Sequence, residues 1–118
     1  MSSFELLKKE RLSNPRDFVN LNRWGRRQAT AHFTVMVAQN GLDIPRLGIT
    51  ASRKTGNSVI RNKVKRFLRE FFRLHKASFP QGYDILIVTK KGAGSLDYRK
   101  VKEELGALVL DKRSCIFS

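Results

Sequence analysis

The residues best suited to chemistry in this sequence are the cations of the segment GNSVIRNKVKRFLREFFRLHK, between Gly56 and Lys76. At about 100° per residue, six polar side chains fall on one helical face within a sector roughly 140° wide. This basic face consists of Arg61, Asn62, Lys65, Arg66, Arg69 and Arg73. Glu70, the only acid of the segment, lies at its border, so the positive potential is largely unneutralised. Because the planar fork of arginine suits phosphate, the face predicts binding to a polyanion such as RNA.

The composition of the whole chain agrees with a polyanionic partner. The chain has 24 Lys and Arg against 10 Asp and Glu in 118 residues, a formal net charge of +14. No apolar run approaches the roughly 20 residues that a membrane-spanning helix needs, and Met1 to Glu10 lacks the apolar stretch of a signal peptide. We therefore expect a cytoplasmic protein that binds nucleic acid, with no membrane and no obligate protein partner.

Catalysis by side chains is not indicated. His32 and His75 are isolated in sequence, and no Asp-x-Asp or Glu-x-x-His pair is present that would hold a nuclease metal. Cys115 is the only cysteine, which excludes an intrachain disulfide and a multi-cysteine zinc site. We therefore predict no catalytic residue, no metal ligand and no cofactor bound by the protein alone.

A helix and two strands precede the basic segment. Asn14 can act as N-cap with Pro15 at the first helical position, and Gly25 follows where a helix commonly ends in a left-handed residue. The runs AHFTVMVAQ, residues 31–39, and RLGITAS, residues 46–52, both alternate with the period of a strand. Because a short loop separates the two strands, they are predicted to pair antiparallel.

The alternation assigns the strand residues to two faces. Phe33, Val35 and Val37 share the more apolar face of the first strand. The less apolar face of the two strands includes Thr34, Met36, Thr50 and Ser52.

Three elements follow the two strands. The basic segment is predicted to form a long helix, capped by Asn57 or Ser58, whose apolar stripe faces the core. That stripe consists of Ile60, Val64, Phe67, Leu68, Phe71 and Leu74. The apolar run YDILIVT, residues 83–89, predicts a central buried strand. A last helix over 96–110, with Asp97 as cap, completes the fold, and the tail after Asp111 should fray.

Together these elements predict an α+β fold in a single domain, residues 1–118, with a folded core at about 11–110 and flexible ends. The expected order is helix, two strands with room for a third, long helix, strand and helix. Such an order favours a mixed sheet with helices packed on it.

Three segments resemble the bacterial ribonuclease P protein subunit. RLGITASRKTGNSVIRNKVKRFLREFF, residues 46–72, is similar to the family's signature, in which a strand leads through a glycine-containing turn into an Arg-Asn-Arg-like helix. RLSNPRDF at 11–18 and YDILIV at 83–88 extend the resemblance to roughly residues 11–110. The resemblance implies a small ribosomal-protein-like α/β sandwich with a left-handed crossover.

The resemblance also implies a function. In this family a large catalytic RNA, which requires Mg²⁺, performs the endonucleolytic removal of the 5′ leader of precursor tRNA. The protein is an accessory subunit of that endoribonuclease, and the protein alone is expected to be inactive.

Two sets of site residues are implied by the resemblance. Those expected to bind the catalytic RNA are Arg53, Lys54, Arg61, Asn62, Lys65, Arg66 and Arg69. Those expected to bind the single-stranded leader, in a cleft between the first helix and one sheet face, are Arg11, Phe18, Thr34, Met36, Thr50 and Ser52. A groove with one aromatic platform and surrounding cations suits a flexible strand, because stacking tolerates any base.

Two alternatives remain open at the level of sequence. The first is a ribosome-associated or general RNA-binding module without a role in tRNA processing, which would share the charge and the order of elements. The second is a protein-only nuclease, which would be expected to carry a cluster of acids.

Overall fold

Three α-helices and four β-strands form along the part of the chain that the computed structural model describes, residues 10–12, 14–110 and 116–117. The helices are α1 (Pro15–Trp24), α2 (Ser58–Leu74) and α3 (Tyr98–Val109), and the strands are β1 (Arg26–Ala29), β2 (Phe33–Gln39), β3 (Arg46–Thr50) and β4 (Tyr83–Thr89). This order confirms the predicted succession of elements, with β1 as the third strand before the long helix. None of the described helices is long and apolar enough to cross a membrane.

The four strands form one mixed sheet in the order β1-β2-β4-β3. β2 pairs antiparallel with both β1 and β4, whereas β3 pairs parallel with β4. The predicted pairing of β2 with β3 is therefore wrong, because β4 lies between them. β4 is the most apolar strand and is buried on both faces over most of its length, so the central position removes it best from water. The parallel pairing of β3 and β4 requires a crossover, which α2 provides; its left-handed sense stays a prediction.

Two apolar clusters fill the opposite faces of this sheet. The larger cluster packs against α2 and α3 and includes Phe33, Val35 and Val37, which confirms the predicted apolar face of β2. The smaller cluster joins Met36 and Leu86 to the underside of α1. Helices therefore lie on both faces of the sheet: α2 and α3 pack on the face of the larger cluster, and α1 alone packs on the face of the smaller cluster.

The buried side of α2 differs slightly from the predicted stripe. The fully buried side chains are Val64, Leu68, Phe71 and Phe72, each at most 1% exposed. Leu74 was predicted to face the core, but 52% of its surface is exposed. Phe79, which follows the helix, packs against both Phe71 and Phe72, with ring centroids 4.8 Å from Phe72. Because Phe79 packs here, the Phe72 side of α2 faces the core, and Leu74 lies outside the core.

Polar caps begin the helices as predicted. The side chain of Asn14 caps α1 by accepting a 2.9 Å hydrogen bond from the backbone two residues later, and Asn57 and Asp97 cap α2 and α3 at 3.0 and 2.9 Å. The prediction of a left-handed Gly25 is wrong, because its φ is −73°. Glycine is needed there for space, since a Cβ would lie 2.5 Å from the carbonyl oxygen of Leu21.

The end of the chain returns to the core. Ile116 is 1% exposed; its N–H donates to the carbonyl of Leu108 at 2.8 Å, and its own carbonyl accepts from Nη1 of Arg26 at 3.1 Å. Phe117 packs edge-on against two further aromatic rings. The prediction of a fraying tail is therefore wrong at these two residues, and Cys115 lies outside the described part of the chain.

Candidate RNA interface

The basic face of α2 lies beside the buried side of the helix rather than fully opposite it. Asn62 and Arg66 are exposed, whereas Arg61, Lys65, Arg69 and Arg73 are half-buried. Arg73 donates to Glu70 at 2.6 Å, so part of its charge is neutralised within the helix. Nε of Arg61 is buried and has no hydrogen-bond partner among the described residues. Most cations of the basic face are therefore partly covered by the protein rather than fully extended into solvent. Glu70 neutralises one of them, Arg73, at the C-terminal end of the helix.

A turn anchored to the central strand presents two more cations at the N-terminal end of α2. Arg53 and Lys54 are both exposed and lie in a short 3-10 helix that ends at Thr55. Thr55 is buried, and its hydroxyl lies 2.5 Å from the hydroxyl of Thr89 in the central strand. A Cβ at Gly94 would collide with the carbonyl oxygen of Thr55, so glycine allows the next loop to pack against this turn. The turn extends the positive surface of α2 towards the sheet.

A cleft at the β3 edge of the sheet joins α2 to the segment before α1. It has a volume of about 170 Å³, and its lining, among the described residues, contains three cations and no acid. The lining consists of Arg11, Leu12, Leu47, Gly48, Ile49, Lys65 and Arg69. The N–H of Leu12 donates to the carbonyl of Leu47 at 2.9 Å, which holds Arg11 at this edge. The structure thus places Arg11, predicted with the leader residues, beside Lys65 and Arg69, predicted with the residues for the catalytic RNA.

The sheet face that α1 covers leaves one row of residues open. Residues that pair across strands project from the same face, and the register places Ala29 beside Thr34, Thr34 beside Val88 and Val88 beside Thr50. Ala29 and Thr50 are exposed, and Thr34 and Val88 are half-buried. This open row crosses all four strands. The predicted residues Thr34 and Thr50 therefore belong to one continuous strip.

The next row lies beneath α1. Arg27, Met36, Leu86 and Gly48 follow one another across the sheet, and Met36 and Leu86 are each only 3% exposed. Phe18 of α1 packs against this row. The covered row and the open row together form a shallow groove alongside α1, which we call the α1 groove.

Phe18 lies at the wall of the α1 groove. Its ring is half-buried, and its Cε1 would lie 3.0 Å from a Cβ at Gly48, so glycine allows the close approach of α1 to β3. Ser52 is exposed two residues beyond the end of β3. Met36 is almost fully buried beneath α1, so it can support the floor of the groove but offers little surface to a ligand.

An ion-pair network fixes α1 on the sheet, on the side away from the groove. Arg46 of β3 binds both carboxylate oxygens of Asp84, at 2.7 and 2.8 Å, and contacts Asp17 of α1 at 3.2 Å. The hydrogen bond with Asp84 is the main reason why the pKa of Arg46 is raised. Asn40 donates to the same carboxylate at 2.9 Å. Sequence reasoning missed this network, because its members are up to 67 positions apart and no spacing rule connects them.

The two histidines are isolated in sequence, but in the fold His32 meets a distant carboxylate. Its Nδ1 lies 2.7 Å from Glu104 of α3, and its backbone N–H donates to the same carboxylate at 2.8 Å; the hydroxyl of Thr30 also contacts it. The ring of His75 packs against its own helix, and burial, with a contribution from Lys102, lowers its pKa. Neither histidine lies in the α1 groove. Among the described residues, no group of three His, Cys, Asp or Glu side chains is placed to hold a metal ion.

Comparison with known proteins places the chain in a family. Residues 6–112 match the family model described as Ribonuclease P. The ribonuclease P protein component of Syntrophus aciditrophicus (strain SB) is 44% identical over 109 residues, 92% of each chain, and that of Desulforapulum autotrophicum is 40% identical over 108 residues, 92% of each chain.

Solved structures show the same fold. The RNase P protein of Staphylococcus aureus matches with a TM-score of 0.81 at 33% identity, covering 92% of this chain and 98% of that one. The RNase P protein from Thermotoga maritima matches with a TM-score of 0.74 at 38% identity, covering 81% of this chain and 91% of that one. These matches confirm the predicted α+β class. The chain therefore belongs to the ribonuclease P protein family, whose members are accessory subunits of the ribonuclease P endoribonuclease and partners of its RNA.

Proposed function

We propose that this chain uses two surfaces in the maturation of tRNA: the basic face of α2 binds the ribonuclease P RNA, and the α1 groove binds the single-stranded 5′ leader of precursor tRNA. The observation that carries the proposal is the open row beside α1. It is a partly solvent-accessible strip on the sheet face that carries α1, and it lies next to a half-buried aromatic ring.

The basic face and the turn before it suit a folded RNA. Their side chains project from one rigid helix and one anchored turn, so they can contact several phosphates at fixed spacing. Each phosphate contact releases counterions, which makes such binding strong at low salt. The residues we assign to the catalytic RNA are Arg53, Lys54, Arg61, Asn62, Lys65, Arg66 and Arg69.

The α1 groove suits a single strand. Its exposed residues are small, so they leave room for an extended backbone, and its hydroxyls can donate to phosphate or to base edges. Phe18 offers part of a ring face on which a base of any sequence can stack. We assign Phe18, Thr34, Thr50 and Ser52 to direct contact with the leader and Met36 to the support of the groove floor.

Arg11 has a position between the two RNA partners in this proposal. It lies in the edge cleft with Lys65 and Arg69, near the β3 end of the α1 groove. A leader phosphate that leaves the groove at this end would come within reach of Arg11. The catalytic RNA, bound along α2, would lie on the other side of the same cleft.

The hydrolysis itself belongs to the RNA in this proposal, and the holoenzyme requires Mg²⁺. The protein positions the leader and supplies positive charge next to the RNA. Its place of action is the cytoplasm, where precursor tRNA is processed.

Replacement of Phe18 tests the assignment of the groove. In holoenzyme assembled on ribonuclease P RNA, Phe18→Ala should weaken binding of precursor tRNA by about 1–3 kcal/mol, the value of one base–aromatic stack. Binding of mature tRNA, which has no leader, should be unchanged. Equilibrium dissociation constants for both tRNAs measure the difference.

Two further variants separate loss of the stack from loss of the fold. Phe18→Leu retains apolar packing against the smaller cluster but removes the ring, so it should show the same selective defect with a near-normal melting temperature. Val19 is 54% exposed on the same helix and packs into neither apolar cluster, so Val19→Ala should bind both tRNAs normally. An equal loss of affinity for precursor and mature tRNA in a folded Phe18→Leu variant would contradict the assignment.

A further inference from the structure

A second cleft, which we call the polar pocket, lies on the side of α1 away from the α1 groove. Its lining includes Asp17, Asn20 and Leu21 of α1, Ala38 at the end of β2, and the ion pair of Arg46 with Asp84. Its volume is about 150 Å³, well below the roughly 300–1,000 Å³ of a site for a drug-sized ligand. The polar pocket therefore has room for one planar ring rather than for a whole cofactor.

The charges inside the polar pocket favour an amino group over a phosphate. Asp17 and Asp84 carry negative charge there, and Arg46 carries positive charge. Both carboxylate oxygens of Asp84 bind Arg46, whereas Asp17 contacts Arg46 through Oδ2, at 3.2 Å. The other oxygen of Asp17 can therefore accept a hydrogen bond from a ligand, and its charge repels a phosphate at the same place.

Asn20 adds an amide that can recognise the edge of a base. Its side chain is exposed, and it has no hydrogen-bond partner among the described residues. An amide offers a donor and an acceptor, as does the edge of a nucleobase. An amide beside a carboxylate therefore suits a base with an exocyclic amino group, which adenine, guanine and cytosine have and uracil lacks.

Trp24 lies at the end of the polar pocket, where it can cover a base. At about 100° per residue, it falls within about 40° of both Asp17 and Asn20 on α1, and it follows Asn20 by about one helical turn. The next residue, Gly25, lies against β2, since a Cβ there would be 3.1 Å from the carbonyl oxygen of Val37. The ring of Trp24 is 77% exposed and packs into neither apolar cluster, so it can stack on a planar ligand.

Two arginines lie at the outer rim of the polar pocket. Arg16 and Arg23 are exposed and are the neighbours of Asn20 on the helix surface, one turn before it and one turn after it. The site thus has cations outside and a carboxylate, an amide and an aromatic ring inside. This arrangement matches a nucleotide of RNA whose base is splayed out, because its phosphate is anionic and its base is both stacked and hydrogen-bonded at the edge.

We propose that the polar pocket binds one unpaired nucleobase of a structured RNA, either the ribonuclease P RNA or the body of the tRNA. Trp24 stacks on the base, and Asp17 and Asn20 bind its edge. Arg16 and Arg23 lie next to the adjoining phosphates. This inference rests on the proposed function only for the identity of the partner RNAs, because the polar pocket lies across α1 from the groove and is filled without the leader.

The fluorescence of Trp24, the single tryptophan, reports on the base directly. It should be quenched either when the protein binds ribonuclease P RNA or when mature tRNA is added to the assembled holoenzyme, and the step at which quenching occurs identifies the RNA that supplies the base. Unchanged fluorescence at both steps would overturn the inference. Quenching that requires the 5′ leader, or that follows a rise in protein concentration alone, would overturn it as well, because it would assign Trp24 to the leader or to a second copy of the chain.

Paired substitutions test whether Trp24 and Asn20 bind the same base. Trp24→Ala should weaken binding of the RNA that quenches about fivefold or more, as expected when one stack is removed, and Asn20→Ala should weaken it too. Because both side chains contact one base, the double variant should lose less affinity than the product of the two single losses. Both side chains are exposed, so the melting temperature should stay near normal in every variant.

Gln28 provides the matched control, since it is an exposed amide on β1. Gln28→Ala should bind every RNA normally, alone and in combination with Trp24→Ala. Single losses for Trp24→Ala and Asn20→Ala that simply multiply in the double variant would contradict a shared base.

The outcomes separate this inference from the assignment of the α1 groove. If Phe18→Ala selectively weakens binding of precursor tRNA but Trp24→Ala and Asn20→Ala behave like Gln28→Ala, the polar pocket is refuted and the groove stands. If precursor and mature tRNA bind equally to the unchanged holoenzyme while Trp24→Ala and Asn20→Ala are coupled, the groove is refuted and the polar pocket stands.

Discussion

At the scale of single residues, Glu104 joins two distant parts of the fold. Its carboxylate accepts hydrogen bonds from Thr30 and His32, in the turn between β1 and β2. Burial by itself would raise the pKa of Glu104, but the hydrogen bonds from His32 and Thr30 and the charge of His32 outweigh it and lower the pKa below its ordinary value. The charged form is therefore the form that stabilises the fold.

The lowered pKa of Glu104 predicts how stability depends on pH. A carboxylate with a lowered folded-state pKa contributes stability above its unfolded pKa, and this contribution is lost as the pH falls through the folded value. Glu104→Gln should cost about 1–3 kcal/mol of unfolding free energy at pH 7, because charge-assisted hydrogen bonds are removed. The difference between the two proteins should shrink as the pH falls below about 4.3, the ordinary pKa of a glutamate. Urea unfolding at a series of pH values measures it.

A neighbouring carboxylate provides the control. Glu103 is exposed on the same helix, so Glu103→Gln should leave both the stability and its pH dependence almost unchanged. A Glu104→Gln cost that stays constant from pH 7 down to strongly acidic pH would show that the side chain acts by packing rather than by charge.

Local sequence patterns predicted residues of the open row, but they did not predict contacts between residues that are far apart in sequence. Thr34 and Thr50 were assigned to one face because side chains alternate along a strand, and the register confirms that they share a row. The hydrogen bonds of Glu104 could not be predicted, since His32 is 72 positions away and no periodicity relates the two. The ion pair between Arg46 and Asp84, which are 38 positions apart, could not be predicted for the same reason.

At the scale of elements, α2 combines a buried side with the basic face that we propose binds RNA. Its buried side chains hold the larger cluster together, and the basic face lies directly beside them. Charge can therefore be reversed on this face without a change in the fully buried side chains of the helix. This separation allows RNA binding to be tested apart from stability.

Reversal of charge on α2 should weaken assembly with the catalytic RNA. We expect Arg66→Glu combined with Arg69→Glu to reduce affinity for ribonuclease P RNA strongly and to leave the melting temperature almost unchanged. If both arginines bind phosphate, the slope of log affinity against log salt should fall by roughly 1 unit for each arginine replaced. Filter binding over a range of salt concentrations measures both quantities.

The matched control changes the net charge equally on another helix. Arg99 and Lys100 are exposed at the start of α3, and replacing both by Glu alters the charge by the same amount. That variant should assemble nearly as well as the unchanged protein. Equal losses of affinity in the two double variants would show that net charge, rather than the basic face, attracts the RNA.

Elements with a strong local signal were predicted well, and their arrangement was not. Helix caps at Asn14, Asn57 and Asp97 are local hydrogen bonds, so sequence alone identifies them. The strand β1 (Arg26–Ala29) is exposed along its whole length, so it has no apolar alternation that would define it. The place of β4 between β2 and β3 depends on which strand gains most from burial, which is a property of the whole sheet.

At the scale of the whole molecule, the net charge of +14 predicts how the protein affects the requirement of the catalytic RNA for Mg²⁺. Basic side chains supply countercharge that a folded RNA otherwise takes from ions. The RNA should therefore cleave precursor tRNA at lower Mg²⁺ with the protein than without it, and RNA-free protein should not cleave at any Mg²⁺ concentration. Cleavage assays across a Mg²⁺ series, with nuclease-treated protein as control, measure both expectations. Mg²⁺-dependent cleavage by RNA-free protein would contradict this division of labour.

The central position of β4 also has a consequence for the order in which the surfaces are completed during translation. Val88 joins Thr34 to Thr50 in the open row, and Leu86 lies under α1 with Met36. The ribosome makes α1, β1, β2, β3 and all of α2 before it reaches β4 at Tyr83. A nascent chain therefore contains the cations that we propose bind the ribonuclease P RNA before it has a continuous α1 groove. Until β4 is made, β3 has no strand to pair with, and the late strand then joins it to β2.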